Sequence, residues 1–176
     1  MRYYIADLHL GHANIIKLCY RPFTSVEEMN QTLIDNWNSV VTDKDEVFIL
    51  GDFCFRSQKN PVSFLKQLKG TKYLIKGNHD KVNDEIRKEF AWVRDYAEIS
   101  DNGHMLILCH YPMAEWNGFY RDTIHLYGHI HNSINATYHF MKSLPNAYNV
   151  GADILDFTPR TLDEVIRYNR NFNASH

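Results

Sequence analysis

The sequence has few cysteines, and those it has are spaced neither for pairing nor for a metal clip. Cys19, Cys54 and Cys109 are odd in number and far apart in a chain of 176 residues. This spacing argues against a disulfide framework and against a Cys-x-x-Cys zinc site. A reducing compartment is the simplest interpretation, because free thiols persist there.

The sequence also lacks a long apolar run and an excess of charge of one sign. No stretch approaches the length of a membrane span, and strand-like sequence begins at Arg2, where a secretory signal peptide would otherwise stand. The net charge is −2 and the basic residues are scattered, which disfavours a protein that grips long nucleic acid. We therefore expect a cytoplasmic protein with no membrane partner.

Apolar residues and histidine are plentiful. Hydrophobic residues make up 44% of the chain and aromatic residues 14%, which excludes a disordered chain and suits one domain over residues 1–176. Six of the ten histidines stand in short clusters beside glycine, aspartate or asparagine: His9, His12, His79, His110, His129 and His131. Scattered surface histidines would not cluster in this way.

Apolar runs typical of β-strands alternate with helical patterns in the first half of the chain. The predicted strands are Tyr3–Ala6, Val47–Leu50, Tyr73–Ile75, Trp92–Ile99, Met105–Cys109, Ile124–Tyr127 and Tyr148–Val150. The predicted helices are Ala13–Leu18, Ser25–Val40, Pro61–Leu68, Asp80–Phe90 and Asp163–Tyr168. Ser25 and Glu28 form a capping box. This order of elements predicts an α/β protein with a sheet that is parallel at its centre.

Five of the apolar runs end in side chains that can bind metal ions. These side chains are Asp7, His9, Asp52, Asn78, His110, His129 and His131. Because functional crevices in α/β sheets lie at the carboxyl ends of strands, we expect them to converge in one pocket. In Asp7-x-His9 and His129-x-His131, the spacing would place both side chains on one face of an extended segment.

The predicted ligands are imidazole, carboxylate and amide groups, without a thiolate. This set favours Mn, Fe or Zn, with Mn preferred, over a structural zinc site held by cysteine. Seven groups are too many for one ion but suit two ions at about four ligands each, if one carboxylate bridges. Gly51, Gly77 and Gly128 directly precede ligand positions, as expected where the backbone must bend or approach closely.

The series Asp-x-His, Gly-Asp, Gly-Asn-His-Asp, a lone histidine after a strand and Gly-His-x-His resembles the calcineurin-like metallophosphoesterase superfamily. The similarity is greatest to its small stand-alone bacterial and phage members. It extends from Asp7 to His131, and the stretch "NVGAD" at Asn149–Asp153 also matches. The resemblance implies a four-layer α/β/β/α sandwich of two mixed β-sheets flanked by helices, and a dinuclear-metal phosphoesterase activity.

The resemblance also implies roles for individual residues. One metal would be held by Asp7, His9, Asp52 and His131, and the other by Asp52, Asn78, His110 and His129, with Asp52 as the bridge. His79 resembles the general acid that protonates the leaving oxygen. Asp80 is either the N-cap of the following helix or the residue that orients His79.

His12 and Arg56 are candidate substrate-binding residues. His12 would contact a phosphate or cap the short helix after it, and Arg56 would clamp a phosphate or remain solvated. Two divalent ions and two carboxylates leave a charge of about +2, which a hydroxide and a phosphodiester monoanion neutralise. We therefore expect hydrolysis of a phosphodiester in a small substrate, with nucleotides among the candidates, by a dimetal-activated hydroxide.

Two alternatives to a phosphodiesterase stay open. A phosphomonoesterase, including a protein phosphatase, would need extra positive charge for its dianionic substrate, which His12 and Arg56 could supply. A binding scaffold with the same fold would be expected to lack at least one metal ligand or the acid. The sequence lacks none of them, which favours an enzyme.

Overall fold

Two four-stranded sheets pack face to face in the computed structural model, which describes residues 1–176. The strands are β1 (Arg2–Ile5), β2 (Glu46–Leu50), β3 (Thr71–Ile75), β4 (Trp92–Arg94), β5 (Tyr96–Asp101), β6 (His104–Cys109), β7 (Ile124–Tyr127) and β8 (Ala147–Asn149). The first four form one sheet in chain order, and the last four form the other in chain order.

The two sheets differ in strand direction. Every pairing in the first sheet is parallel. In the second sheet β5 runs antiparallel to β6, while β6, β7 and β8 are parallel. The sandwich of two sheets is confirmed, but only the second sheet is mixed. The predicted strand Trp92–Ile99 is two strands, because the chain leaves the first sheet after Arg94 and enters the second at Tyr96.

Six helices complete the fold: α1 (Ala13–Leu18), α2 (Val26–Val40), α3 (Pro61–Leu65), α4 (Asp84–Arg87), α5 (Ala136–Lys142) and α6 (Leu162–Ser175). Ser25 caps α2 as predicted, since its hydroxyl accepts the Glu28 N–H at 3.1 Å. The prediction that Asp80 caps a helix is wrong, because α4 begins four residues later and is capped by Asn83. The sequence patterns do not predict α5, which has seven residues and buries only two of them. No helix combines the length and the apolar character that a membrane crossing requires.

Both faces of the first sheet are covered by apolar cores. Side chains alternate along a strand, so Tyr3 and Ile5 enter the core beneath α1 to α4, while Tyr4 and Ala6 enter the core between the sheets. A strand buried on both faces appears in sequence as a continuous apolar run, as in the "VFIL" of β2. Aromatic rings of Tyr4, Phe48 and Tyr73 stack in turn across the inner face, with centroids 5.6 Å and 4.7 Å apart.

The carboxyl ends of strands from both sheets meet at one rim. Just beyond β1, the Ala6 N–H donates to the Val150 carbonyl at 2.7 Å, and the Ala152 N–H donates to the Ala6 carbonyl at 2.8 Å. These bonds tie the end of β1 in the first sheet to the segment that follows β8 in the second. Loops that leave the strands at this rim therefore lie side by side.

His125 is a fully buried imidazole in β7. Its Nδ1 lies 3.1 Å from the Ile107 carbonyl oxygen, and its Nε2 accepts the Met113 N–H at 3.2 Å. Burial lowers the pKa of His125 to about 4 from the usual 6.5. The ring is therefore neutral in the folded protein at pH 5, where an exposed histidine is protonated.

Lowering the pH from 7 to 5 should reduce the free energy of unfolding, because the unfolded chain then binds a proton at His125 that the folded protein does not. The fall in the pKa to about 4 makes this contribution about 2 kcal/mol at pH 5. Urea unfolding in the presence of a chelator measures it. His125→Gln should weaken the pH dependence of the free energy of unfolding, and His104→Gln, a control at an exposed histidine, should not. An equal pH dependence in the unmodified protein and both variants would contradict the assignment.

Candidate metal centre

Two buried aspartates, Asp7 and Asp52, lie at the centre of the rim, just after β1 and β2. Each uses one carboxylate oxygen to hold a loop from another strand. Asp7 Oδ2 accepts the His129 N–H at 2.9 Å, and Asp52 Oδ1 accepts the His79 N–H at 2.9 Å. Each aspartate therefore positions a neighbouring loop and keeps its other oxygen for a ligand.

The second oxygen of Asp52 lies between two imidazoles. Asp52 Oδ2 is 3.7 Å from His9 Nε2 and 3.6 Å from His110 Nε2. Two atoms that bind one cation at about 2.1 Å lie roughly 3.0–3.4 Å apart, so these separations are close to those of shared ligands. Asp52 is thus placed to contact a cation beside His9 and another beside His110.

Asp7, His9 and His131 form the more buried half of the site. Asp7 Oδ1 lies 4.0 Å from His131 Nε2, and neither Asp7 Oδ1 nor His9 Nε2 has a hydrogen-bond partner although both atoms are buried. Burial raises the pKa of Asp7 to about 6 and holds the pKa of His9 far below its usual range. A divalent cation would satisfy both orphaned atoms and offset the cost of burying the carboxylate, so these residues fit a metal ion.

Asn78, His110 and His129 form the other, more open half. Asn78 Oδ1 lies 3.1 Å from His110 Nε2 and 3.0 Å from His129 Nδ1. The opposite nitrogen of His110 donates to the Leu50 carbonyl at 2.8 Å, which leaves the lone pair on Nε2, the atom that faces Asn78 and Asp52. All seven predicted metal ligands are therefore gathered in one pocket.

The backbone at this rim is strained. Five of the seven predicted ligands have left-handed φ values: Asp7 (56°), His9 (52°), Asp52 (54°), His129 (72°) and His131 (51°). Residues other than glycine adopt this conformation at a cost of about 1–2 kcal/mol each. The expectation of extended Asp-x-His and His-x-His segments is wrong, because β1 ends at Ile5 and β7 ends at Tyr127. As a result His129 and His131 face different halves of the site.

Two of the glycines before ligand positions are required by close approach, as expected. A Cβ atom on Gly77 would lie 2.2 Å from Asp52 Oδ1, and one on Gly51 would lie 2.2 Å from His110 Nδ1. Real Cβ atoms do not approach other heavy atoms this closely. Any side chain at either position would displace a predicted ligand.

Arg21 and Asp153 support the buried half of the site, and neither is singled out by the sequence patterns. Asp153 Oδ2 lies 2.9 Å from His131 Nδ1, so the other nitrogen of His131 faces Asp7. The Arg21 guanidinium binds both oxygens of Asp153 at 2.8 Å and 3.0 Å, and it also donates to the carbonyls of Asp7 and Leu8. Despite burial, which lowers it, the hydrogen bond that His131 donates to Asp153 raises the pKa of His131 to about 10. One guanidinium thus anchors both the segment that carries Asp7 and the carboxylate that positions His131.

Asp80 performs neither of its predicted roles as a helix cap or as a partner of the His79 ring. Its carboxylate accepts three backbone N–H groups, those of Asp52 at 2.8 Å, Phe53 at 3.0 Å and Gly77 at 2.8 Å. It therefore ties the loop after β2 to the loop after β3. Asp80 is partly buried, and the desolvation of its carboxylate raises its pKa to about 6.

His79, His12 and Arg56 line the side of the pocket next to His9. The His79 ring packs on Phe55 with centroids 4.0 Å apart, and its ring nitrogens form no hydrogen bond with the protein. His12 Nδ1 lies 3.3 Å from His9 Nδ1, and its side chain does not cap α1. Arg56 is exposed, with its guanidinium 5.1 Å from the Phe55 ring centre. All three predicted residues therefore lie beside the candidate metal ligands.

Comparison with known proteins agrees with this geometry. The family model described as calcineurin-like phosphoesterase matches residues 3–174. The uncharacterized protein MJ1445 of Methanocaldococcus jannaschii is 38% identical over 167 residues, which cover 94% of this chain and 89% of that protein.

Two solved structures share the fold. The crystal structure of AQ665, a protein of unknown function from Aquifex aeolicus, has a TM-score of 0.75 at 24% identity and covers 95% of this chain and 98% of its own. A structure of an archaeal phosphodiesterase has a TM-score of 0.51 at 12% identity, covering 85% of this chain and 81% of its own. At these identities the likeness establishes the fold alone.

Asp153→Asn should weaken metal binding at the half of the site that contains His131 by roughly 10–100-fold, because the neutral amide would lack the charge that orients the His131 ring. The amide oxygen still accepts a hydrogen bond, so we expect the variant to fold. Titration of the metal-free protein with Mn²⁺, followed by calorimetry, measures affinity and stoichiometry. Asp156→Asn, an exposed aspartate three residues away, is the matched control; unchanged affinity at both sites in Asp153→Asn would refute the positioning role.

Proposed function

The chain belongs to the calcineurin-like phosphoesterase family, as its motifs indicated, and on that premise we propose that it hydrolyses a phosphodiester with two divalent cations. The observation that carries the proposal is the position of Asp52 Oδ2, 3.7 Å from His9 Nε2 and 3.6 Å from His110 Nε2. A carboxylate oxygen between two groups of ligands suits two neighbouring ions, the arrangement that two-metal hydrolases use.

In this proposal one cation is held by Asp7, His9, Asp52 and His131, and the other by Asp52, Asn78, His110 and His129. When bound, the cations lower the pKa of a water molecule towards neutrality and stabilise charge on the phosphoryl oxygens. Because the ligands are imidazole, carboxylate and amide groups, we favour Mn among Mn, Fe and Zn.

His79 supplies a proton to the leaving oxygen in the proposed reaction. A hydroxide, formed when water loses a proton to solvent, forms a new bond to phosphorus through its oxygen while the bond from phosphorus to the leaving oxygen breaks. The proton of His79 passes to the leaving oxygen, and His79 regains a proton from solvent. Two features of the structure support this role. The backbone N–H of His79 donates to Asp52 Oδ1 at 2.9 Å, which fixes the position of the residue. The His79 ring packs on Phe55, and both ring nitrogens are free of protein partners.

We also propose a small substrate, with nucleotides among the candidates, and a cytoplasmic location. The grooves beside the candidate metal centre have volumes of about 270, 370 and 450 Å³, which suit a small molecule. All three cysteines are unpaired, as is usual in a reducing compartment.

Initial rates with bis-p-nitrophenyl phosphate and p-nitrophenyl phosphate test the proposed function. The Mn-loaded protein should hydrolyse the diester with the higher kcat/KM, because a monoanion balances the charge of the site better than a dianion. A chelator should abolish the activity. Cleavage of the monoester alone would identify a phosphomonoesterase, and two bound metals without hydrolysis of either compound would identify a binding scaffold.

His79→Ala should retain both metal ions while kcat falls by roughly 10²–10⁴ for diesters with alkoxide leaving groups. The loss should be smaller for nitrophenolate, which leaves without needing a proton. Metal analysis and rates with both kinds of leaving group measure the effect, with His104→Ala as the exposed-histidine control. An equal loss for good and poor leaving groups would show that His79 is not the acid.

A further inference from the structure

A cavity of about 270 Å³ opens beside the candidate metal centre, and we call it the Asn30 cavity. It lies between the turn after β1, the start of α2 and the loop after β2. Its polar lining includes His12, Asn30, Arg56 and Lys59. His12 joins it to the metal site, since the His12 ring lies 5.3 Å from the ring of the predicted ligand His9.

Asn30 is buried and presents an unused donor to this cavity. The residue is only 8% exposed, and its Oδ1 accepts the Gly11 N–H at 2.8 Å. Because Gly11 N–H is a donor, the accepting atom must be the amide oxygen, which leaves the NH₂ group on the other side. That NH₂ group forms no hydrogen bond with the protein and remains accessible from the cavity. A donor at an open cavity, on a side chain whose oxygen is already fixed, is available to a ligand or water.

The cavity adjoins the groove that contains His79. This second groove, of about 370 Å³, is lined by His79 and Lys81 and shares Arg56 and Ser57 with the Asn30 cavity. Since His79 is the proposed acid, the groove that contains it is the leaving-group side of the site. A leaving group bound there would extend past Arg56 into the Asn30 cavity.

The groups along this path are donors and cations. Arg56, Lys59 and Lys81 carry positive charge, and none of them forms an ion pair with the protein. Glu27 is the one acidic residue in the lining of the two grooves, and its side chain is exposed. A guanidinium, an ammonium and an amide NH₂ are groups suited to bind phosphate.

We propose that the Asn30 cavity binds a second phosphate group on the leaving side of the substrate. The preferred substrate is then a short nucleotide-type phosphodiester whose released part carries a further phosphate. The inference rests on the phosphodiesterase function proposed above and names the substrate class of that same site. It also agrees with the scattered charge of the chain, because one local phosphate site requires no extended basic surface.

Three dinucleotides that differ by one phosphate test the proposal. TpT carries only the scissile diester, TpTp has a further 3′ phosphate, and pTpT has a further 5′ phosphate. Chromatography of the TpT products shows which nucleoside is released: the product Tp means that the 3′ nucleoside is released, and pT means that the 5′ nucleoside is released. The dinucleotide with the phosphate on the released nucleoside should have a kcat/KM about tenfold above that of TpT, and the other should show no gain.

Asn30→Asp is the decisive variant. Its carboxylate still accepts the Gly11 N–H, so the turn is preserved, but the donor is replaced by an acceptor that repels phosphate. The tenfold preference should disappear, and Lys59→Gln should reduce it. Gln31→Glu, which adds the same charge at the next, exposed residue of α2, and Lys88→Gln, which removes an exposed lysine elsewhere, should both retain it.

A binding experiment on the metal-free protein gives an independent readout. Millimolar inorganic phosphate should shift the NMR signals of the Asn30 side-chain amide and the Gly11 N–H, and Asn30→Asp should remove the Gly11 response. Absence of these shifts, or equal kcat/KM for the three dinucleotides, would overturn the cavity proposal and leave the phosphodiesterase function standing. Failure to cleave any diester would overturn both.

Discussion

Three carboxylates, those of Asp7 and Asp52, which are buried, and of Asp80, which is partly buried, accept backbone N–H groups from loops that follow other strands. A buried carboxylate without such donors would be costly, and a hydrogen bond to a charged group contributes about 1.5–3 kcal/mol. The loops and the carboxylates therefore stabilise each other. The other residues of the site depend on this arrangement, because each loop carries at least one predicted metal ligand or the proposed acid.

This mutual support also explains how strained backbone persists at the rim. Left-handed φ values at Asp7, Asp52 and His129 are unfavourable one by one, yet each of these residues takes part in a hydrogen bond that holds its loop. Strain of this kind is retained where the surrounding structure leaves the chain no alternative, and it concentrates at functional sites. A cation that satisfies Asp7 Oδ1 and His9 Nε2 would add to the same balance.

The two sides of the site differ in character. The side with Arg21 and Asp153 is closed by a salt bridge whose side chains are 0% and 1% exposed. A buried ion pair of this kind is weak evidence for stability but fixes geometry well. The side with His79 and Arg56 is open and rich in donors, which suits the binding and release of substrate. In the proposed function, metal binding and substrate recognition thus fall to separate groups of residues around one pocket.

Much of the site could be predicted from the chain alone. The ends of apolar runs identified every one of the seven candidate ligands and His79, because strands of a parallel sheet deliver their carboxyl ends to one edge. The resemblance carried by those motifs extended to the family and the fold. The errors were local. Asp80 looked like a helix cap because aspartate is common there, and Trp92–Ile99 looked like one strand because nothing in its pattern marks the change of sheet at Asp95.

The sequence by itself determined which residues are candidates for the chemistry, since the residue types and their spacing from strand ends are local properties. Only the tertiary structure decided how those residues are held and what lies beside them. The Arg21–Asp153 pair joins positions 132 residues apart, and the free amide of Asn30 is recognised only once Gly11 is seen to occupy its oxygen. Contacts between distant segments depend on how the two sheets and α2 pack, and no short pattern along the chain records that packing.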